Sequence, residues 1–464
     1  MKLTQFRIDG LFGDRRVTLQ VDKKALILVG PNGLGKSSVA NMFYFTISRQ
    51  WTRLLDYNFK SITLIIDDEE ITFKRDEVSG LLKLSQVLGS SGSRANNMIQ
   101  KLISSNLFNT FIEASLSSTN DRTRYADILG IPRAEVRMFQ RYLHRKINSE
   151  DDLFAAPRVR LEEQLAKAIP FRVLYLPTYR RIERDMRDVF PNLEERYRQL
   201  GGTVGPIEAG RSGNFYVELV NFGMEDVKRN IQKVTQDLRG YSLSQYNNLS
   251  ASYLRDVIRG KADQYDSRDL ASLNDNDINA ILNRVNESAL SKDDKILLQK
   301  RIKEIQAQTK AKTRSEDRYL AHYFSRLVST TNDIVRNERN VAAFVNVCNA
   351  YLRPSKYFDY DEVSSTINIY DDRDQILDLS VLSSGEKQII SLFSHLYLED
   401  ALSKIIIIDE PELSLSVPWQ RRFLLDIIES GRCDFLLAVT HSPFVYDNGL
   451  KPNAMDLRKL TERA

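Results

Sequence analysis

Residues 30–37 read Gly-Pro-Asn-Gly-Leu-Gly-Lys-Ser, and residues 405–412 read Ile-Ile-Ile-Ile-Asp-Glu-Pro-Glu. The first string has the spacing Gly-x4-Gly-Lys-Ser. Its glycines let backbone N–H groups close around phosphate oxygens, while the lysine reaches the outer oxygens and the serine hydroxyl suits Mg2+. The candidate phosphate ligands are therefore Gly30, Pro31, Asn32, Gly33, Leu34, Gly35, Lys36, Ser37 and Ser38. The second string is an apolar run that ends in two carboxylates. Asp409 suits the magnesium shell, directly or through water, and Glu410 can polarise an attacking water. Strands often end in acids, so the second string is weak evidence alone. Paired with the first, it predicts a site for a magnesium-bound nucleoside triphosphate.

Two shorter strings belong with these. Leu382-Ser383-Ser384-Gly385-Glu386-Lys387-Gln388 lies just before a helical stretch, and Thr440-His441-Ser442-Pro443 follows an apolar run. A serine and a backbone amide at a helix start are good anion ligands, which makes Ser383 and Gly385 candidates. A lone histidine is more often a satisfied core or surface residue, but the place of His441 after a strand and before Ser-Pro favours a functional reading and makes it a candidate catalytic residue. His144 and His322 have no motif around them, and His395 reads as a helix-face residue.

The elements that must carry these residues follow from periodicity. Leu3–Asp9 and Val17–Val21 alternate as strands, and Ala25–Val29 reads as a buried strand entering the glycine-rich loop. Ser38–Arg49 has helical spacing, with Val39, Met42, Phe43 and Thr46 on one face; Ser61–Ile66 and Glu70–Lys74 are strands. From Asp76 to Ala168 the text is helix-like and charged, with a loop at Ser90–Asn97. Arg172–Tyr179 interrupts it as a strand, and Gly201–Gly213 reads as a loop. Phe222–Ala342 is almost wholly helical. Within it, Lys292–Lys312 suits a helical hairpin around Ile296, Leu297, Ile302 and Ile305. Strands are then expected at Glu362–Tyr370, Ile405–Ile408 and Asp434–Val439, with helices over Gln388–Leu402 and Trp419–Glu429.

This order predicts an α/β nucleotide-binding head, assembled from N- and C-terminal segments and carrying a large helical insertion. The expected divisions are 1–75 for the first part of the head and 76–170 for a helical insertion. Residues 171–224 would hold a core strand, a basic segment and the glycine-rich loop. Residues 225–345 would form a second helical insertion or hairpin, and 346–464 the rest of the head.

Composition narrows the class. No window of the 464 residues approaches the roughly 18 apolar residues of a membrane span, and the N-terminus lacks a secretory h-region. Cys348 and Cys433 read as buried thiols in a reducing compartment, so a cytoplasmic protein without a membrane partner is expected. A net charge of +4 neither demands nor excludes nucleic acid. The densest basic patch, Tyr179-Arg180-Arg181-Ile182-Glu183-Arg184, reads as a nucleic-acid contact or, more simply, as a solvated helix start. Arg133–Lys146 has the same two readings.

With all four strings in place, the chain resembles the ABC-type ATPases of the RecF, SMC and OLD branch. Their signature reads Leu-Ser-Gly-Gly-Gln or Leu-Ser-x-Gly-Glu, with Ser384 here where many members have glycine, and a histidine ends the strand after the acidic one. The resemblance implies ATP and Mg2+ as cofactors and a sandwich of two heads. Ser383 and the Gly385 N–H of one head would cap the γ-phosphate held by the other, with His441 also contacting it. Leu413–Trp419 occupies the position of the loop along the head–head interface, but Ser416 stands where the family has histidine. The magnesium-contacting glutamine of the family has no counterpart after Ile62–Ile66 or Ile71–Lys74.

Within the branch, transporters lack so long a separation between phosphate loop and signature, SMC proteins fill it with heptads, and OLD nucleases continue into a Toprim domain. The runs 174–183 and 222–227, together with the signature, look like stand-alone ATPases of anti-phage systems, of the PARIS (AriA-like) or Septu (PtuA-like) kind. That resemblance implies a homo-oligomeric ATPase that senses an invader, with a phage trigger protein as a candidate partner. It would hold and release a separately encoded nuclease of Toprim or HNH type. A RecF-like repair ATPase and a structural ATP clamp with negligible turnover are the alternatives.

Overall fold

A computed structural model describes residues 3–21, 23–67, 69–78, 136–138, 165, 169, 172–177, 216–218, 224–261, 270, 273–285, 290–307, 314–399 and 403–463. The chain divides into two compact units, one of residues 1–222 with 401–464 and one of residues 223–400.

The first unit is built on strands β1 (Leu3–Leu11), β2 (Arg15–Gln20), β3 (Ala25–Val29), β4 (Ser61–Ile66), β5 (Glu69–Lys74), β6 (Arg172–Leu176) and β7 (Tyr216–Glu218). To these it adds helices α1 (Lys36–Ile47) and α2 (Trp51–Leu54). From the C-terminal part come β10 (Lys404–Asp409), α8 (Val417–Glu429), β11 (Cys433–Val439), β12 (Ala454–Asp456) and β13 (Thr461–Arg463). One sheet has the order β12-β3-β11-β10-β6-β7, and every pairing in it is parallel. The other, β13-β2-β1-β4-β5, is antiparallel.

The residue types explain the division. All six residues of β10 are buried, and its run of isoleucines has no polar face to give to water. Such strands belong in the middle of a parallel sheet covered on both sides. In contrast β5 alternates exposed and buried positions, as an antiparallel strand with one wet face does. The strand expected at Arg172–Tyr179 is β6, which lies beside β10 in register Ile405↔Val173 to Ile408↔Leu176. The first half of the chain thus contributes to the same sheet as the acidic strand.

Helix α1 joins the two sheets. Phe43 packs edge-on against Phe6 of β1 at 5.0 Å between ring centroids and against Phe435 of β11 at 5.9 Å. One apolar face was expected on this helix, yet Val39, Ala40, Met42, Phe43, Tyr44, Phe45 and Ile47 are all buried. A helix covered by a sheet on either side has no face left for solvent.

The second unit holds α3 (Glu225–Ile258), α4 (Asp275–Asn283), α5 (Lys292–Ala307), α6 (Ser315–Leu352), the hairpin β8 (Lys356–Asp361)–β9 (Thr366–Asp371), and α7 (Ser384–Tyr397). Ile278, Ile281, Ile302, Ile305, Phe324 and Leu249 form the core of its helical part. Of the four apolar residues read into the hairpin around α5, Ile302 and Ile305 are buried and Ile296 and Leu297 are exposed. The single strand expected at Glu362–Tyr370 is the second half of a hairpin, turned through Ser365 at φ 52°. His395 is not a plain helix-face residue. It is buried, with Nε2 3.1 Å from Asp226 and Nδ1 2.5 Å from Glu399. Burial alone would lower its pKa, but the two carboxylates raise it to about 9.

Among the described residues, no helix is long and apolar enough to cross a membrane. The basic run Tyr179–Arg184, the loop Gly201–Gly213 and most of Arg133–Lys146 lie outside the described residues.

Candidate nucleotide site

The phosphate loop leaves β3 and enters α1 through three glycines with positive φ: Gly30 at 140°, Gly33 at 77° and Gly35 at 93°. A Cβ on Gly35 would stand 2.8 Å from the Phe12 ring, and one on Gly30 would stand 3.1 Å from Leu34. Only glycine fits both the backbone and the space. Pro31, Asn32 and Gly33 form the exposed tip, Leu34, Gly35, Ser37 and Ser38 are half-buried, and Lys36 is buried. The Lys36 ammonium donates to the carbonyls of Gly30 (2.8 Å) and Pro31 (3.0 Å), so it lies folded into the loop. Burial lowers its pKa, against the pull of Asp409, Glu410, Asp456 and Glu412.

The acidic strand arrives beside this loop through the sheet order. β11 lies between β3 and β10, so the C-terminal ends of β3 and β10 emerge on the same edge. Ser37 Oγ donates to Asp409 Oδ1 at 3.1 Å, although the two residues are 372 apart in sequence. A hydroxyl and a buried carboxylate held this way match the oxygen-ligand chemistry of Mg2+. With the N–H groups of α1's first turn aimed at the same place, the residues present fit a magnesium-bound polyphosphate.

Glu410 follows at φ 51°, a left-handed conformation that a glutamate rarely takes, and its N–H donates to the Val439 carbonyl at 2.8 Å. Burial, Asp409 and Glu412 raise its pKa, while His441 and Lys36 pull it down. A carboxylate raised in this way is better matched to accepting a proton than an ordinary one. His441 is exposed, on the turn after β11.

Ser383 and Gly385 belong to the second unit. Ser383 is the exposed N-cap of α7 in a capping box: its N–H donates to Glu386 Oε2 at 2.7 Å, and the Glu386 N–H donates to its Oγ at 3.3 Å. Lys356 Nζ reaches both Glu386 oxygens, at 2.8 and 3.0 Å. Burial pushes Glu386 up, but Lys356 and Ser383 more than offset it and hold the carboxyl below its ordinary value. This box presets the start of α7.

Three polar residues at the first unit's site were not read from the sequence. Asp456, on β12, brings a carboxylate against Gly30. Glu412 accepts from the turn that carries His441, and Gln420 bonds Ser442. The Asp-Glu-Pro-Glu string displayed Glu412, but its partners come from the following strand.

Residues 225–447, which include the signature, the acidic strand and His441, match the protein family described as "AAA domain, putative AbiEii toxin, Type IV TA system". No curated protein matches the chain. Among solved structures, the chain is similar to a Smc head domain with an extended coiled coil, bound to the C-terminal domain of ScpA, from Pyrococcus furiosus. The identity is 11%, with 100% of this chain and 96% of that chain covered and a TM-score of 0.34. A Smc head domain with a coiled coil and joint from Pyrococcus yayanosii is 15% identical, with coverages of 98% and 93% and a TM-score of 0.29. Likeness at these scores decides nothing about activity or assembly. The phosphate loop and the acidic strand beside it, with a family match over residues 225–447, support one coarse statement: this is an ATPase built on a P-loop α/β sheet.

Proposed function

We propose that the chain is an ABC-type ATPase that converts ATP and water to ADP and phosphate, acting as a dimer or higher homo-oligomer. The observation that carries this is the Ser37–Asp409 contact, which joins the phosphate loop to the acidic strand across 372 residues. Lys36 and the loop amides hold the β- and γ-phosphates, and Ser37 and Asp409 hold Mg2+. Bound magnesium supplies charge neutralisation at the phosphate oxygens. Glu410 orients a water and accepts its proton, with His441 beside the γ-phosphate. Ser383 and the Gly385 N–H serve the nucleotide of a second copy.

The finer reading is a sensor and scaffold of an anti-phage system that holds and releases a separately encoded nuclease. It is supported by the runs 174–183 and 222–227 and by a family match whose description includes a toxin of a toxin–antitoxin system. The test is phosphate release by the purified chain with and without Mg2+. Release should need the metal and be abolished in Lys36→Ala; an unchanged rate in that variant would sink the ATPase reading. Purification from the native operon should bring down a Toprim or HNH protein. Recovery of the ATPase alone would remove the scaffold role and leave the chemistry.

A further inference from the structure

We infer that Glu412 and Gln420 are positioning residues, which fasten the segment after the acidic strand to the turn presenting His441. This rests on the ATPase reading above. β10 and β11 run parallel with Asp409 opposite Val439, and beyond that pair the two chains leave the sheet. What holds the emerging segments together is a side-chain ring.

Glu412 Oε1 accepts the N–H groups of His441 (2.9 Å) and Ser442 (3.2 Å), and its Oε2 accepts the Thr440 hydroxyl (2.7 Å). Ser442 Oγ donates to Gln420 Oε1 at 2.7 Å, on α8. Gln420 Nε2 returns to the carbonyls of Leu415 (2.9 Å) and Glu412 (3.5 Å). The ring therefore closes through residues 412–415, α8 and the turn 440–442.

The form of the ring is informative. One carboxylate takes three donors from consecutive residues, two of them backbone amides, and charge-assisted bonds of this kind are short and directional. The grip is on the backbone of His441, while the residue as a whole stays exposed. Two left-handed residues, Glu410 at φ 51° and Ser414 at φ 66°, flank Glu412. Non-glycine residues persist in that region only where the surroundings hold them.

The test is steady-state ATP hydrolysis and equilibrium nucleotide binding in wild type, Glu412→Ala, Gln420→Leu and His441→Ala, with both double variants carrying His441→Ala. Glu412→Ala should lower kcat by about ten- to a hundredfold, the scale of a misplaced catalytic group, with the ATP dissociation constant little changed. Glu412→Gln keeps an acceptor for the two amides and should lose only about threefold. In the His441→Ala background, Glu412→Ala should add less than about twofold, because the group it positions is already gone. Equal losses in both backgrounds, or no loss in either, would overturn the inference. Should Glu412→Ala fail to fold, Gln420→Leu cuts the ring on its other side and is read by the same rule. A wild type that does not hydrolyse ATP, or a Lys36→Ala variant as active as wild type, removes the ATPase reading and the inference with it. Active wild type with an additive Glu412→Ala removes the inference alone.

Discussion

Charges are handled in opposite ways in the two units. In the first, Asp409, Glu410 and Glu412 crowd the end of β10, and like-charge repulsion is among the causes that raise Glu410. In the second, buried charges are matched. Arg284 lies 2.7 Å from Glu338 and 3.0 Å from Glu362, Asp256 meets His322 at 3.2 Å and Arg326 at 2.5 Å, and His395 sits between Asp226 and Glu399. Concentrated like charge works against folding and is kept for what it binds, whereas paired charge fastens helices together. The contrast separates the crowded carboxylates at the end of β10 from the charge pairs that fasten the helices of the second unit.

Glu410→Gln attacks the contrast most strongly. Turnover should fall a hundredfold or more, the usual contribution of a general base, while the melting temperature holds or rises because one repulsive charge is gone. Phosphate release and thermal melts on one preparation check both halves; a destabilised but active variant would place Glu410 on the scaffold side.

Arg284→Met should do the reverse. Removing Arg284 leaves Glu338 buried without a counter-charge among the described residues, with only the Tyr360 hydroxyl donating to it at 2.9 Å, at a cost of about 3–5 kcal/mol. Denaturant unfolding of the second unit reads this loss, and nucleotide binding by the first unit is expected to persist at a concentration where the protein stays folded. Unfolding at the wild-type midpoint would show that the pair is not a fastener.

The smallest effect is a pH dependence. His395 has a folded pKa raised to about 9, above its ordinary value of about 6.5. The protonated form is favoured by the fold, so its contribution is complete below about pH 6.5 and is lost as pH rises through 9. Stability should decline over that window by on the order of 3 kcal/mol. Melts of wild type and His395→Gln between pH 6 and 10 give the difference. Parallel curves would mean that the Asp226–His395–Glu399 contact does not survive in solution.

The phosphate loop was legible because its geometry is local: glycines with positive φ and a lysine and serine at the helix start lie within one short string. The acidic strand was legible from its apolar run, and β3 and β4 have the predicted bounds. The β8–β9 hairpin was not. Its turn, Glu362-Val363-Ser364-Ser365, has no glycine, proline or asparagine, and Asp361 supplies the bonding instead, accepting from Val363 and Ser364. His395 was missed because one of its partners, Asp226, is 169 residues away.

The sequence by itself offered the chemistry available: a phosphate cradle, candidate magnesium ligands, a candidate base and a serine preset at a helix start. The cradle and the serine depend on residues close along the chain, where backbone geometry leaves little choice, whereas the Ser37–Asp409 pair had to be read from two strings 372 residues apart. Tertiary structure decided which carboxylate does what. Asp409, Glu410 and Glu412 are near neighbours in sequence, yet one meets Ser37, one turns left-handed into a half-buried position, and one grips the backbone of His441. Those assignments follow from parallel pairing of β3, β11 and β10, which brings three distant strand ends to a single edge.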